Sequence, residues 1–260
     1  MTRAPLHVDH VTVRFGAVRA LNDVSFVVEP GTVHAVIGPN GAGKSSLLNV
    51  LSGVYVPSEG SVRWGDTTLT GMRPDQITAL GLGRSFQNLG LAGAQTVEEN
   101  IMLGRHSLMK AGFFSSGLGL PYARREERIH RDRVHEIAEF MGLRNLLDAD
   151  VSSLSYGVQK RVDLARALAT EPKILLLDEP VAGMNASEKR VITSLLRTMM
   201  ASLDLTVILV EHDMEMVMGL SDHVTVINFG EVIADGTPAE VQADPAVIAA
   251  YLGEPEGAAQ

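Results

Sequence analysis

Apolar and polar positions along the chain change period twice. Over residues 7–15 they alternate, with Val8 and His10 set against Val11, Val13 and Phe15, as on a half-buried strand. Residues 24–28 are a second β-branched run, closed by the turn pair Pro30-Gly31. Residues 32–37 form a short apolar strand that runs into a glycine-rich loop, after which Leu47, Leu48 and Leu51 return at helical spacing. Residues 57–60 predict a turn and 61–64 a further strand. From about Gln95 to Thr170 the period is helical. Thr96 followed by Glu99 reads as a capping box. Val134, Ile137, Ala138 and Met141 make a buried stripe that ends at Gly142, a natural C-cap. Val158, Val162, Ala165 and Leu168 make another, stopped by Pro172. Strands return at 173–177, 206–210 and 224–228, with helical stretches between them. That alternation predicts an α/β layer with a partly parallel sheet, and the helical block reads as an inserted subdomain. Residues 105–124, with three glycines and Phe113-Phe114, read as a surface loop with a short helix or as an insertion. The mixed charges over 124–133 read as a solvated helix face.

Composition narrows the classes. The chain has 260 residues, 22 Lys plus Arg, 31 Asp plus Glu and a net charge of -9. A hydrophobic fraction of 45% excludes a disordered chain. With no cysteine, disulfides, thiolate metal sites and a Cys nucleophile are excluded. The acidic balance argues against a nonspecific nucleic-acid binder. No apolar run approaches the roughly 20 residues of a spanning helix. Residues 1–10 carry no apolar core of a signal peptide. The expectation is a cytosolic chain whose membrane role, if it has one, comes through a partner.

The chemistry begins at Gly38-Pro39-Asn40-Gly41-Ala42-Gly43-Lys44-Ser45, which satisfies G-x-x-x-x-G-K-[ST] between a strand and the helix opening at Ser46. Glycines let consecutive backbone N–H groups turn inward around phosphate oxygens, and the helix N-terminus adds positive charge. Lys44 supplies a point charge at the β- and γ-phosphates, and the Ser45 hydroxyl ligates Mg2+. Downstream, residues 173–177 lead an apolar strand into Asp178-Glu179-Pro180. An Asp there can hold Mg2+, and the adjacent Glu can act as general base on a water.

Leu154-Ser155-Tyr156-Gly157 precedes the helix that leads to this second strand. With it the chain resembles the ABC (ATP-binding cassette) ATPases, whose signature reads L-S-G-G-Q. Ser155 and Gly157 match the positions that contact the γ-phosphate in that family; Tyr156 and Val158 depart from it. The resemblance places Gln87 at the Q-loop glutamine, reaching Mg2+ and the attacking water. It places His212 at the switch histidine that orients Glu179, and Phe15 at the aromatic that stacks on adenine. As lone residues these would read as a loop glutamine, a surface histidine and a core phenylalanine; the order of motifs carries the assignment. Asn185 stands where many members carry Asp, so it brings a hydrogen-bonding group without charge.

The resemblance covers residues 6–253. It implies a RecA-like P-loop NTPase α/β core with an antiparallel β subdomain (1–94 and 166–240), an inserted helical signature subdomain (95–165) and a C-terminal helix and tail (241–260). The likeness is greatest to ATP-binding subunits of branched-chain amino-acid importers. Its carriers are Tyr156 in Leu154-Ser155-Tyr156-Gly157, the segment Ala182-Gly183-Met184-Asn185, the run Glu211-His212-Asp213-Met214-Glu215-Met216-Val217-Met218, the 105–124 insertion and the ending Ala250-Tyr251-Leu252-Gly253. Urea importers, lipopolysaccharide exporters and, further off, soluble ABC ATPases are the alternatives. The cofactors implied are ATP and Mg2+. The partners implied are transmembrane permease subunits, a second ABC ATPase subunit and, indirectly, a substrate-binding protein, with no nucleic acid. The location implied is cytoplasmic, peripheral on the inner face of the membrane.

Overall fold

The computed structural model describes residues 4–85, 90–109 and 121–252. Strands β1 (Leu6–Phe15) and β2 (Val18–Val28) pair as an antiparallel hairpin. Strands β4 (Glu59–Trp64) and β5 (Thr67–Thr68) extend it into a sheet ordered β2-β1-β4-β5. The strict alternation expected over 7–15 does not hold. His10 has φ 51, the register slips between Val8 and Val11, and Val8, Val11 and Val13 are all buried. A bulge residue shifts the side-chain period by one, which expels His10 and turns both flanking valines inward.

A second sheet contains β3 (Val33–Ile37), β6 (Leu82–Arg84), β7 (Ile174–Asp178), β8 (Thr206–Val210), β9 (His223–Asn228) and β10 (Glu231–Gly236). Its order is β10-β9-β3-β8-β7-β6, parallel throughout except where β10 runs against β9. Both faces are covered. Val36, Ile174, Leu176, Ile208 and Val210 pack with the first sheet and with α1 (Lys44–Leu51). Leu175, Leu177, Val207 and Leu209 pack on the other side against helices. Strands buried on both faces read as unbroken apolar runs, which is why β7 and β8 show no alternation.

Short α2 (Pro74–Leu80) precedes β6. A helical body follows, made of α3 (Val97–Arg105), α4 (Pro121–Phe140) and α5 (Tyr156–Ala169). Thr96 caps α3: its hydroxyl accepts from Glu99 N at 3.2 Å and its N–H donates to the Glu99 carboxylate at 2.9 Å. Helices α3 and α5 cross at Gly104, where an added Cβ would lie 2.2 Å from the Arg166 carbonyl oxygen. The charge run on α4 is not purely a solvated face. Buried His130 accepts from Arg105 Nε at 3.1 Å, and Arg133 pairs with Glu171 at 3.3 Å. Arg105, buried beneath this crossing, also donates to Ala169 O and Glu171. A guanidinium taken out of water needs such partners, and α4 provides one of them.

The remaining helices are α6 (Ala186–Ser202), α7 (Met214–Leu220), α8 (Pro238–Ala243) and α9 (Pro245–Leu252). No helix among the described residues is long and apolar enough to cross a membrane. Because β3, β6, β7 and β8 are parallel, their C-terminal ends lie along one edge. In sheets of this kind ligands bind beyond that edge.

Candidate active site

The loop after β3 lies at the centre of that edge. Gly38, Gly41 and Gly43 have φ of 153, 79 and 109. A Cβ at Gly38 would lie 1.9 Å from Ile227 O, and one at Gly43 would lie 2.4 Å from Ala20 O. The loop is therefore pressed against β2 and β9, and Gly230 N donates to Ala42 O at 2.9 Å beneath it. Lys44 arches back: its Nζ donates to Gly38 O at 2.7 Å and to Pro39 O at 2.8 Å. Burial lowers its pKa, while Glu179 and Asp178 opposite pull it up. Ser45, exposed, and Ser46, half-buried, open α1. A concave run of backbone with an ammonium at its centre suits a polyphosphate.

Strand β7 delivers Asp178 to the same edge. Its buried carboxylate pairs with Arg84 Nη2 at 3.2 Å. Burial pushes the carboxyl pKa up, and Arg84 opposes that. The next residue, Glu179, has φ 46, and its N–H donates to Val210 O at 2.8 Å. His212, 56% exposed, follows β8 with Nδ1 3.7 Å from Glu179 Oε1. The structure thus brings Lys44, Asp178, Glu179 and His212 together from three strands.

Two further charged groups border this site without having been singled out for it from the sequence. Glu211 is fully buried and accepts from Val181 N at 3.1 Å, His212 N at 2.9 Å and Asp213 N at 3.2 Å. It fixes the turn after β8 to the turn after β7. The available signal was an acid placed directly after a fully apolar strand. Lys160, fully buried on α5, has its pKa lowered by burial, against the pull of Asp163, Asp178, Glu211 and Glu179. Helical spacing puts it on the face of Gly157 and Leu164, which was the signal for its burial.

Other expected residues are placed elsewhere. Ser155 is the N-cap residue of α5, but its side chain makes no cap hydrogen bond. Ser155 and Gly157 line a cavity of about 310 Å3 with Val158, Arg161, Ser187 and Glu188, and no phosphate-loop residue lines it. Asn185 is occupied locally, capping α6 by accepting from Ser187 N and Glu188 N, both at 3.0 Å. Phe15 is 49% exposed and meets Tyr55 edge-on with ring centroids 5.2 Å apart. Gln87 lies outside the described residues.

Comparison with known proteins decides the family. The family profile described as "ABC transporter" matches residues 21–182, more than half of the chain. The chain belongs to the ABC transporter ATPases. A second profile, "Branched-chain amino acid ATP-binding cassette transporter", matches residues 231–257 of this cassette. The high-affinity branched-chain amino acid transport ATP-binding protein LivG of Escherichia coli K12 is 39% identical to the cassette over 254 residues, 98% of this chain and 100% of LivG. BraF of Pseudomonas aeruginosa, which carries the same description, is also 39% identical over 254 residues. Among solved structures, the ADP conformation of an ATP-binding cassette of an ABC transporter superposes with TM-score 0.84. Its sequence is 32% identical, and the match covers 97% of this chain and 100% of that one. The cassette therefore has the P-loop NTPase fold, binds ATP and couples its hydrolysis to transport, acting with membrane permease partners.

Proposed function

We propose that the cassette energises uptake of branched-chain or similar hydrophobic amino acids from the cytoplasmic face of the membrane. The match of residues 231–257 to the branched-chain amino-acid profile carries this reading. The general ABC transporter profile matches residues 21–182, so this second match is a separate one.

In this reading Lys44 exchanges the Gly38 and Pro39 carbonyls for the β- and γ-phosphates, which the backbone of residues 38–46 surrounds. Phe15 stacks on adenine. The oxygen donors Ser45 and Asp178 would hold Mg2+, with Gln87 the further ligand expected from the motif, and the ion would neutralise charge on the phosphates. Glu179 takes the proton of the attacking water, and His212 orients it and donates to the γ-phosphate. Ser155 and Gly157 line a cavity separate from the phosphate loop, so they serve the nucleotide of a second cassette. Two cassettes close head-to-tail over two ATP molecules, and permease helices read the closure.

The test is reconstitution of the cassette with its permeases and binding protein in proteoliposomes. Leucine, isoleucine or valine should stimulate ATP hydrolysis and accumulate in the vesicles. Stimulation by urea alone, or ATP-driven lipid extraction without uptake, overturns the substrate reading.

A further inference from the structure

Arg84 ends β6, and the reading above gives it no task. Its side chain is only 11% exposed. Nη1 donates to Asn49 Oδ1 and Ser52 Oγ, both at 2.8 Å, and reaches Leu48 O at 3.5 Å. Nη2 donates to Asp178 Oδ2 at 3.2 Å. Leu48, Asn49 and Ser52 belong to the last turn of α1 and its C-cap, the negative end of the helix dipole. The first turn of that same helix carries Lys44 and Ser45. One planar guanidinium therefore ties the far end of the phosphate-loop helix to the carboxylate at the end of β7. A planar fork can hold both sets of acceptors at fixed angles, which an ammonium cannot.

The charges around this edge give the contact a second consequence. Asp178, Glu179 and Glu211 bring three carboxylates to it. The cations interacting with them include Lys44, Lys160, Arg84, Lys189 (through Glu211) and, when protonated, His212. Among the described residues, Arg84 is the cation paired directly with Asp178 by a hydrogen bond.

We propose that Arg84 is a positioning residue for Asp178: it fixes the carboxylate relative to α1, and its charge limits the pull of the site on a divalent cation. The inference rests on the reading of Asp178 as a ligand of that cation. Orientation raises turnover, while the opposing charge keeps the cation exchangeable when ADP leaves. A purely structural arginine has a different signature, because its loss would weaken cation binding and turnover together.

The experiment uses the full chain with Arg84→Met, Arg84→Lys and, as reference, Asp178→Asn. Mn2+ binding in the presence of ADP is followed by electron paramagnetic resonance. Steady-state ATPase and nucleotide binding in EDTA are measured beside it, and thermal melting reports folding. Arg84→Met should bind Mn2+ at least about threefold more tightly, because a like charge is gone. Its kcat should fall roughly 10–100-fold, as for other groups that orient a metal ligand. Nucleotide binding in EDTA should stay within about twofold, since the phosphate loop is untouched. Arg84→Lys keeps the charge and loses the fork, so Mn2+ affinity should hold while kcat falls.

Folded Arg84→Met with unchanged or weaker Mn2+ binding overturns the proposal, as does unchanged kcat. If Arg84→Met does not fold, Arg84→Lys decides, and full activity there overturns the positioning role. Asp178→Asn should weaken Mn2+ binding. If it does not, the reading of Asp178 as a ligand has failed; if it does and the Arg84 variants behave as wild type, only the Arg84 inference has failed.

Discussion

Glu179 shows how much one backbone angle decides. Its φ of 46 turns the chain directly after Asp178, so consecutive carboxylates serve different neighbours. Asp178 faces Arg84, and Glu179 approaches His212. A positive φ at a non-glycine residue costs of order 1–3 kcal/mol and persists only where surroundings enforce it. Here the bond from Glu179 N to Val210 O and the buried Glu211 carboxylate provide that enforcement. Replacing the carboxylate by an amide keeps this geometry and removes the base proposed above. Glu179→Gln should retain ATP binding and lose turnover by roughly 10²–10⁴-fold, measured by single-turnover hydrolysis. Near-normal hydrolysis would remove Glu179 from the role of base. Most residues of this site were legible from the chain because their types are dictated by phosphate and proton chemistry. Glu211, Lys160 and Arg84 were not, because buried counter-charges follow no linear motif.

Among the elements, the crossing of α3 and α5 is the most constrained. Gly104 lets the two backbones touch, and Arg105 beside it ties α3 to α4 and to the end of α5. Gly104→Val must push the helices apart. The expected loss is about 1–3 kcal/mol, the usual cost of overpacking, read as a lower urea midpoint with unchanged slope. An unchanged midpoint would show that the crossing is looser than the backbone distances state. The capping box at Thr96, the stop at Gly142 and the buried strands β7 and β8 all follow from local patterns. The bulge at His10 does not: alternation was the simplest reading of residues 7–15, and only pairing with β2 and β4 reveals the extra residue.

For the whole molecule, the separation of Ser155 and Gly157 from the phosphate-loop edge matters most. Ser155 and Gly157 line one cavity while Lys44, Asp178, Glu179 and His212 occupy the sheet edge. Ser155→Arg should therefore abolish hydrolysis and leave ATP binding by the isolated chain intact, as checked by calorimetry and phosphate release. Loss of binding by the single chain would place Ser155 in its own chain's site. A second property of the whole fold is its response to acid. His34 is buried between Phe26, 5.1 Å away, and His223, 5.0 Å away, with Thr225 bonded at 2.7 Å. Burial first, then His223, lower its pKa to about 4, with Asp235 opposing. The folded state favours neutral His34, so its contribution is complete above about pH 6.5 and is lost as pH falls towards 4. The loss should approach about 1.4 kcal/mol per pH unit within that window. Urea unfolding between pH 4.5 and 7 should show a steeper decline for the wild type than for His34→Gln. Parallel curves would assign the decline to other groups.

The chain alone determined the motif order, the α/β class and the chemistry of the phosphate loop and acidic strand. Those features are written in consecutive residues, because a loop that cradles phosphate and a strand that ends in acids are local structures. Tertiary structure decided which motifs meet. Parallel pairing of β3, β7 and β8 brings residues as far apart in sequence as Lys44 and His212 to one edge, while the helical body carries Ser155 to a separate cavity. It also decided which charges stand behind the site, since a buried carboxylate or ammonium is stable only beside partners that long-range packing supplies.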